Sequence, residues 1–169
     1  APVHLWNPPF CGDLEIHIDA NGRWFYQKSE IKRARLIKLF ANILKKEKDK
    51  YFLVTPVEKV GITVDDVPFI ATEIDLVTKG KMPLFKFTTN IGDSTYLEKY
   101  HQFDILFKKS TNEPQPYINV RSNLFAKIDR KSFYRLVDFC SETSHGGEDW
   151  FGFYSNDIFF PLVKSNQLD

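Results

Sequence analysis

The sequence predicts an α+β protein of two similar halves, each a β-hairpin, a helix and further antiparallel strands. Three observations lead there. Apolar and polar residues alternate in several short stretches, which is the period of a half-buried strand. Two longer stretches switch to apolar spacings of three and four, the period of a helix packed on one face. The order hairpin, helix, strand also occurs twice, at 14–26, 31–48 and 51–54 and again at 103–121, 129–143 and 150–154. Ile31-Lys32-Arg33 corresponds to Ile128-Asp129-Arg130 at an offset of 97, which also carries Lys38-Leu39 onto Arg135-Leu136. The repeat divides the chain into an N-terminal half, 1–80, and a C-terminal half, 81–169.

The elements follow from local chemistry. Pro2, Pro8 and Pro9 keep the lead-in extended, with Leu5, Trp6 and Phe10 as surface anchors. Leu14, Ile16 and Ile18 alternate with Glu15, His17 and Asp19, and Asn21-Gly22 then predicts a two-residue hairpin turn before Trp24-Phe25-Tyr26. Leu36, Leu39, Phe40, Ile43 and Leu44 form the apolar face of a helix over 31–48, whose last turn Lys45, Lys46 and Lys48 would complement through the helix dipole. In Tyr51–Ile62 a buried strand is cut by Pro56, which cannot donate to a ladder, and resumes after Glu58 and Lys59. Strands follow at Ile70–Leu76, Leu84–Phe87, Phe103–Phe107 and Tyr117–Arg121. A second helix starts near Asp129 with an apolar face of Phe133, Leu136, Val137 and Cys140, and Ser144-His145-Gly146-Gly147 is its predicted stop. Trp150–Tyr154 and Ile158–Leu162 read as closing strands.

Composition narrows the function classes. Lys and Arg number 23 against 22 Asp and Glu, so the net charge of +1 argues against a dedicated nucleic-acid binder while leaving room for a local basic patch. No apolar run approaches the ~20 residues of a membrane span, and no charged-then-apolar leader stands ahead of the domain, although the chain opens at Ala1. The expected setting is cytoplasmic, with neither nucleic acid nor membrane as partner. Cys11 and Cys140 lie far apart, which favours two reduced thiols over a disulfide.

Several stretches carry a family likeness: Trp6-Asn7-Pro8-Pro9-Phe10-Cys11-Gly12-Asp13, Thr55-Pro56-Val57-Glu58-Lys59-Val60-Gly61, Thr89-Asn90-Ile91-Gly92-Asp93, Pro116-Tyr117-Ile118-Asn119-Val120-Arg121 and Phe159-Phe160-Pro161-Leu162. With these the chain resembles the bacterial domain-of-unknown-function 1285 family along essentially its whole length. The resemblance implies two related α+β halves, the second loosely pleckstrin-homology-like, and a ligand at the seam between halves, nucleotide-like and tied to signalling. Where the family tends to have Ser-Gly-Gly before the last Phe-Phe-Pro, this chain has Ser155-Asn156-Asp157. That substitution adds bulk and charge at a left-handed turn.

The residues themselves favour binding over catalysis. Glycine-rich phosphate loops are absent, no pair of the four His has ligand spacing, and no cofactor is implied. Lys59 and Arg121 can grip an anion, Asn90 can orient it, Glu58 stands beside Lys59, and Trp6 or Trp24 can stack on a ring. These define the expected site: Lys59, Glu58, Arg121, Asn90 and Trp6, on a small anionic molecule in the inter-half crevice. The competing account pairs the same cations internally with Glu58, Asp13 or Asp93. Two other classes stay open: an enzyme using Cys11 (with His4 or His17) or the Glu58 and Asp93 carboxylates, and a protein-interaction module with an apolar patch near Trp6 and Phe10 or Trp150 and Phe151.

Overall fold

The computed structural model describes residues 1–167, so the last two residues of the 81–169 span lie outside the described residues. Two compact units divide between Phe69 and Ile70; the 80/81 point expected from the repeat lies in a tight turn between the paired Lys79 and Met82.

The N-terminal unit is one six-stranded sheet with one helix. Its strands are β1 (Phe10–Ile18), β2 (Trp24–Tyr26), β3 (Ser29–Glu30), β4 (Leu44–Glu47), β5 (Lys50–Val54) and β6 (Lys59–Val64), and the helix is α1 (Ala34–Asn42). The order is β3-β2-β1-β6-β5-β4. All neighbours run antiparallel except β1 and β6, whose parallel, twice-shifted pairing joins the two hairpin groups. Ile16, Ile18 and Trp24 are buried, and the Trp24 ring stacks on Phe40 of α1 at 6.2 Å.

Three local expectations change here. The first helix stops at Asn42, and Leu44–Glu47 is a strand that turns at Lys48-Asp49 and pairs with β5. A lone Leu44 ahead of two lysines fits a strand as well as a helix, and burial of Leu44 opposite Leu53 decides it. The lysines therefore complement no helix end. The β1–β2 connection is not a two-residue Asn-Gly turn: Asp19 organises a longer loop, its carboxylate accepting from the Asn21 and Arg23 N–H groups, each at 2.9 Å. Pro56 sits in the β5–β6 hairpin loop, where Thr55 Oγ1 accepts from the Glu58 N–H at 3.0 Å.

The C-terminal unit carries a second six-stranded sheet, a three-stranded sheet and the helix α2 (Arg130–Val137). The strands β7 (Phe69–Lys79), β8 (Met82–Thr89), β9 (Ser94–Tyr96), β10 (Phe103–Phe107), β11 (Pro114–Arg121) and β12 (Leu124–Ile128) stand in the order β10-β11-β12-β7-β8-β9. The smaller sheet is the antiparallel meander β13 (Ser141–His145), β14 (Glu148–Ser155) and β15 (Ile158–Lys164). Asp129 caps α2, accepting from the Ser132 N–H at 2.8 Å. The helix ends before β13, so Gly146-Gly147, both at positive φ, turn a hairpin rather than stop a helix.

The abundant phenylalanine has its use here. Phe153 contacts Phe85, Phe103 and Phe160 at centroid distances of 5.3, 5.4 and 5.4 Å, a cluster that packs the meander on the larger sheet. Buried Ser155 adds a polar tie, accepting from the Phe85 N–H at 3.0 Å and donating to the Leu97 carbonyl at 2.7 Å. Asn156 and Asp157 both take the left-handed conformation the β14–β15 turn demands, and Asn156 Nδ2 donates to the Glu98 carbonyl at 3.0 Å.

The halves are similar in element order: three strands, a helix and three strands, from β1 to β6 and from β10 to β15. The offset of 97 carries Leu44, which opens β4, onto Ser141, which opens β13. In the N-terminal unit the two triplets share one sheet; in the C-terminal unit β7–β9 recruit the first triplet and leave the second as its own sheet.

Candidate functional site

The expected site residues fall into two groups, each engaged within its own unit. In the N-terminal unit Lys59 Nζ lies 3.0 Å from Glu47 Oε2 and 4.8 Å above the Phe52 ring. Lys45 joins the same carboxylate at 4.0 Å and donates to the Trp6 carbonyl at 3.2 Å. Trp6 and Lys59 are thus linked through Lys45 and Glu47. The partner of Lys59 is Glu47, not Glu58, whose exposed side chain stands on the hairpin loop. Trp24 is buried under α1 and offers no stacking face to a ligand.

In the C-terminal unit Asn90 and Arg121 meet at the β8–β9 turn. Asn90 Oδ1 accepts from the Ile70 N–H at 3.1 Å, its own N–H donates to the Ile70 carbonyl at 2.8 Å, and Arg121 pairs with Asp93. Gly92 supplies the positive φ of that turn. These contacts give the residues structural work: Asn90 pins the turn to the start of β7, and Arg121 ties β11 to it.

The groups considered for catalysis are dispersed. Cys11 Sγ is exposed and donates to the Pro9 carbonyl at 3.3 Å, while His17 pairs with Asp65 at 2.6 Å. Cys140 is half-buried, and burial pushes its thiol up to about 12. Among the described residues no group of three His, Cys, Asp or Glu side chains could hold a metal ion, and no helix is long and apolar enough to cross a membrane.

The sequence reading missed a cleft in the C-terminal unit. It measures about 580 Å³ and is walled by Phe107 and Pro114, by Phe133 and Val137 of α2, and by Phe151, Leu162 and Val163 of the meander. A second hollow of about 210 Å³ shares Pro114 and Phe133 with it and is lined by Lys108, Glu113, Gln115, Arg130 and Tyr134. Lys108 Nζ and Arg130 Nη2 both stand 4.0 Å from Glu113 Oε2, so two half-solvated cations face one carboxylate. The apolar cleft and the charged hollow therefore share the wall of Pro114 and Phe133, and the hollow's lining carries one positive charge in excess. Phe107, Phe133 and Val137 read as core from their spacing, yet Phe107 remains 49% exposed. The available signal was an apolar stretch of α2 that continues past Leu136 to Val137.

Comparison with known proteins settles the relationship. A family model described as "Domain of unknown function (DUF1285), N-terminal domain" matches residues 1–67, and one described as "Protein of unknown function (DUF1285), C-terminal domain" matches residues 68–162. The chain belongs to the DUF1285 family. A crystal structure of a DUF1285 family protein from Silicibacter pomeroyi DSS-3 is 47% identical, with a TM-score of 0.90 over 99% of this chain and 90% of that one. A DUF1285 family protein from Shewanella baltica OS155 is 30% identical, with a TM-score of 0.56, covering 73% of this chain and 90% of that one. The search of curated proteins returned no match. The motifs that carried the family likeness coincide with the DUF1285 turns and strand ends: the lead-in into β1, the β5–β6 loop, the β8–β9 turn, β11 and β15.

Proposed function

We propose that this DUF1285 protein is a non-enzymatic binding module for a small amphipathic anion, a molecule with an apolar tail and a carboxylate- or phosphate-like head. The observation that carries the reading is the shared wall of Pro114 and Phe133. Against it lie both an apolar cleft of about 580 Å³, a size typical of small-molecule sites, and the hollow bearing Lys108 and Arg130. The tail would lie against Phe107, Phe133, Val137, Phe151, Leu162 and Val163, and the head would displace Glu113 from the two cations. This retains the anionic ligand expected from the sequence and moves its grip. Lys59 and Arg121 are engaged with Glu47 and Asp93, whereas the ion pairs at Glu113 are long and half-exposed. Such pairs contribute about 0–1 kcal/mol, so exchanging their partner costs little.

Isothermal titration with decanoate tests it, with decylamine and acetate as controls. Decanoate should bind and both controls should not, because one lacks the anionic head and the other the tail. Arg130→Ala, at a side chain 71% exposed, should weaken decanoate about three- to tenfold without unfolding the protein. Val163→Phe should fill the cleft and abolish binding. Equal affinity for decanoate and decylamine, or an unchanged affinity in Val163→Phe, would rule the site out.

A further inference from the structure

A near-neutral chain can hide a charged face, and the N-terminal unit has one. Lys32, Arg33, Arg35 and Lys38 are all exposed, and no acid lies between positions 31 and 42. Among the described residues no carboxylate pairs with any of the four, in contrast to Lys59 and Arg121. Their placement works against the fold. Lys32, Arg33 and Arg35 crowd the N-terminus of α1, the positive end of its dipole, where the first turn holds no acid and Arg33 offers no side-chain cap. Cations gathered where they repel the helix make physical sense if an external anion meets them. The apolar residue among them fits the same partner. Leu39 is 58% exposed, one turn after Arg35 and beside Lys38, on the outward side of a helix whose Phe40 and Ala41 pack inward.

We infer that this face docks on an anionic lipid surface, the four cations meeting headgroups and Leu39 entering the acyl boundary. Complementary charge would serve a nucleic acid equally, but a phosphate backbone has no apolar region to receive Leu39. The expectation of no membrane partner rested on the missing span and leader, and neither bears on peripheral docking. This inference is independent of the cleft in the C-terminal unit.

The test is co-sedimentation of the full chain with vesicles of phosphatidylcholine alone or with phosphatidylserine. Binding should require phosphatidylserine and fall steeply with added salt. Arg35→Glu should raise the melting temperature, because it places an acid in the first turn of α1, while cutting vesicle binding about tenfold. Leu39→Asn should weaken binding about threefold at every salt concentration. Equal binding to both vesicle types, or none to phosphatidylserine vesicles at low salt, would overturn the inference. So would retention on duplex RNA that is stronger than on vesicles and indifferent to Leu39→Asn.

Discussion

Asp19 shows how one side chain replaces a turn the sequence pattern described differently. Its partial burial works to raise the carboxyl pKa, but the N–H groups of Arg23 and Asn21 and the Arg23 guanidinium outweigh that and hold it below the usual value. A depressed carboxylate stabilises the fold above its unfolded pKa, near 3.8, and loses that contribution as pH falls through the folded value. Urea unfolding should therefore show wild type more stable than Asp19→Asn at pH near 6, with the gap closing below pH near 4. A gap that widens with acid would contradict the assigned interactions. Gly152 is a second residue whose role was not legible. A Cβ there would lie 2.3 Å from the Phe160 carbonyl oxygen and 2.9 Å from Pro161 Cα, at the bulge where β14 meets β15. Backbone cannot yield as a flexible side chain does, so Gly152→Ala should cost about 1–3 kcal/mol in chemical denaturation. Sequence spacing marks Gly152 as a weak strand residue; only the register with Pro161 shows why it is needed.

At the scale of elements, existence was easier to read than extent. Both helices, the two hairpins at 14–26 and 103–121, and the closing strands were visible as period switches, because each buries one face, whereas 51–62, which reads as one interrupted strand, is the β5–β6 hairpin. Helix ends were not. Residues 44–47 and 141–145 carry patterns compatible with either state, and pairing with β5 and β14 selects the strand. Lys48 gives a direct check, since it holds a φ of 54° in the β4–β5 turn. Lys48→Gly should raise stability by about 0.5–1 kcal/mol in the turn, a melting shift of about 2–4 °C. In a helix continuing through residue 48 the same change would lower stability by about 1 kcal/mol. The sign of the shift in calorimetry decides between them. The site suffered from the same ambiguity. Phe107, Phe133 and Val137 were legible as apolar positions, but whether a partner covers an apolar position depends on how α2 lies between two sheets, and no local pattern encodes that.

The whole molecule repeats a three-strand, helix, three-strand order, and the two copies use it differently. In the first, β1 and β6 close one sheet; in the second, three added strands absorb the first triplet and free the other. The second sheet in the C-terminal unit gives α2 a further wall, and Phe133 and Val137 line the cleft together with residues of both sheets. The family motifs serve this framework: Thr55–Glu58 and Asn90–Asp93 are turns, Lys59 reaches across β5 to Glu47 on β4, and Arg121 ties β11 to the β8–β9 turn. That is why motif-based reasoning found conspicuous polar residues and passed over the ordinary apolar ones around the cleft. The central claim is that this cleft takes an amphipathic anion, and methyl-group NMR of the full chain titrated with decanoate tests it most directly. The methyl resonances of Val137, Leu162 and Val163 should shift together and saturably, while those of Val54 and Val60 in the N-terminal unit stay still. Saturable shifts confined to the N-terminal unit, or no shifts at millimolar decanoate, would contradict it.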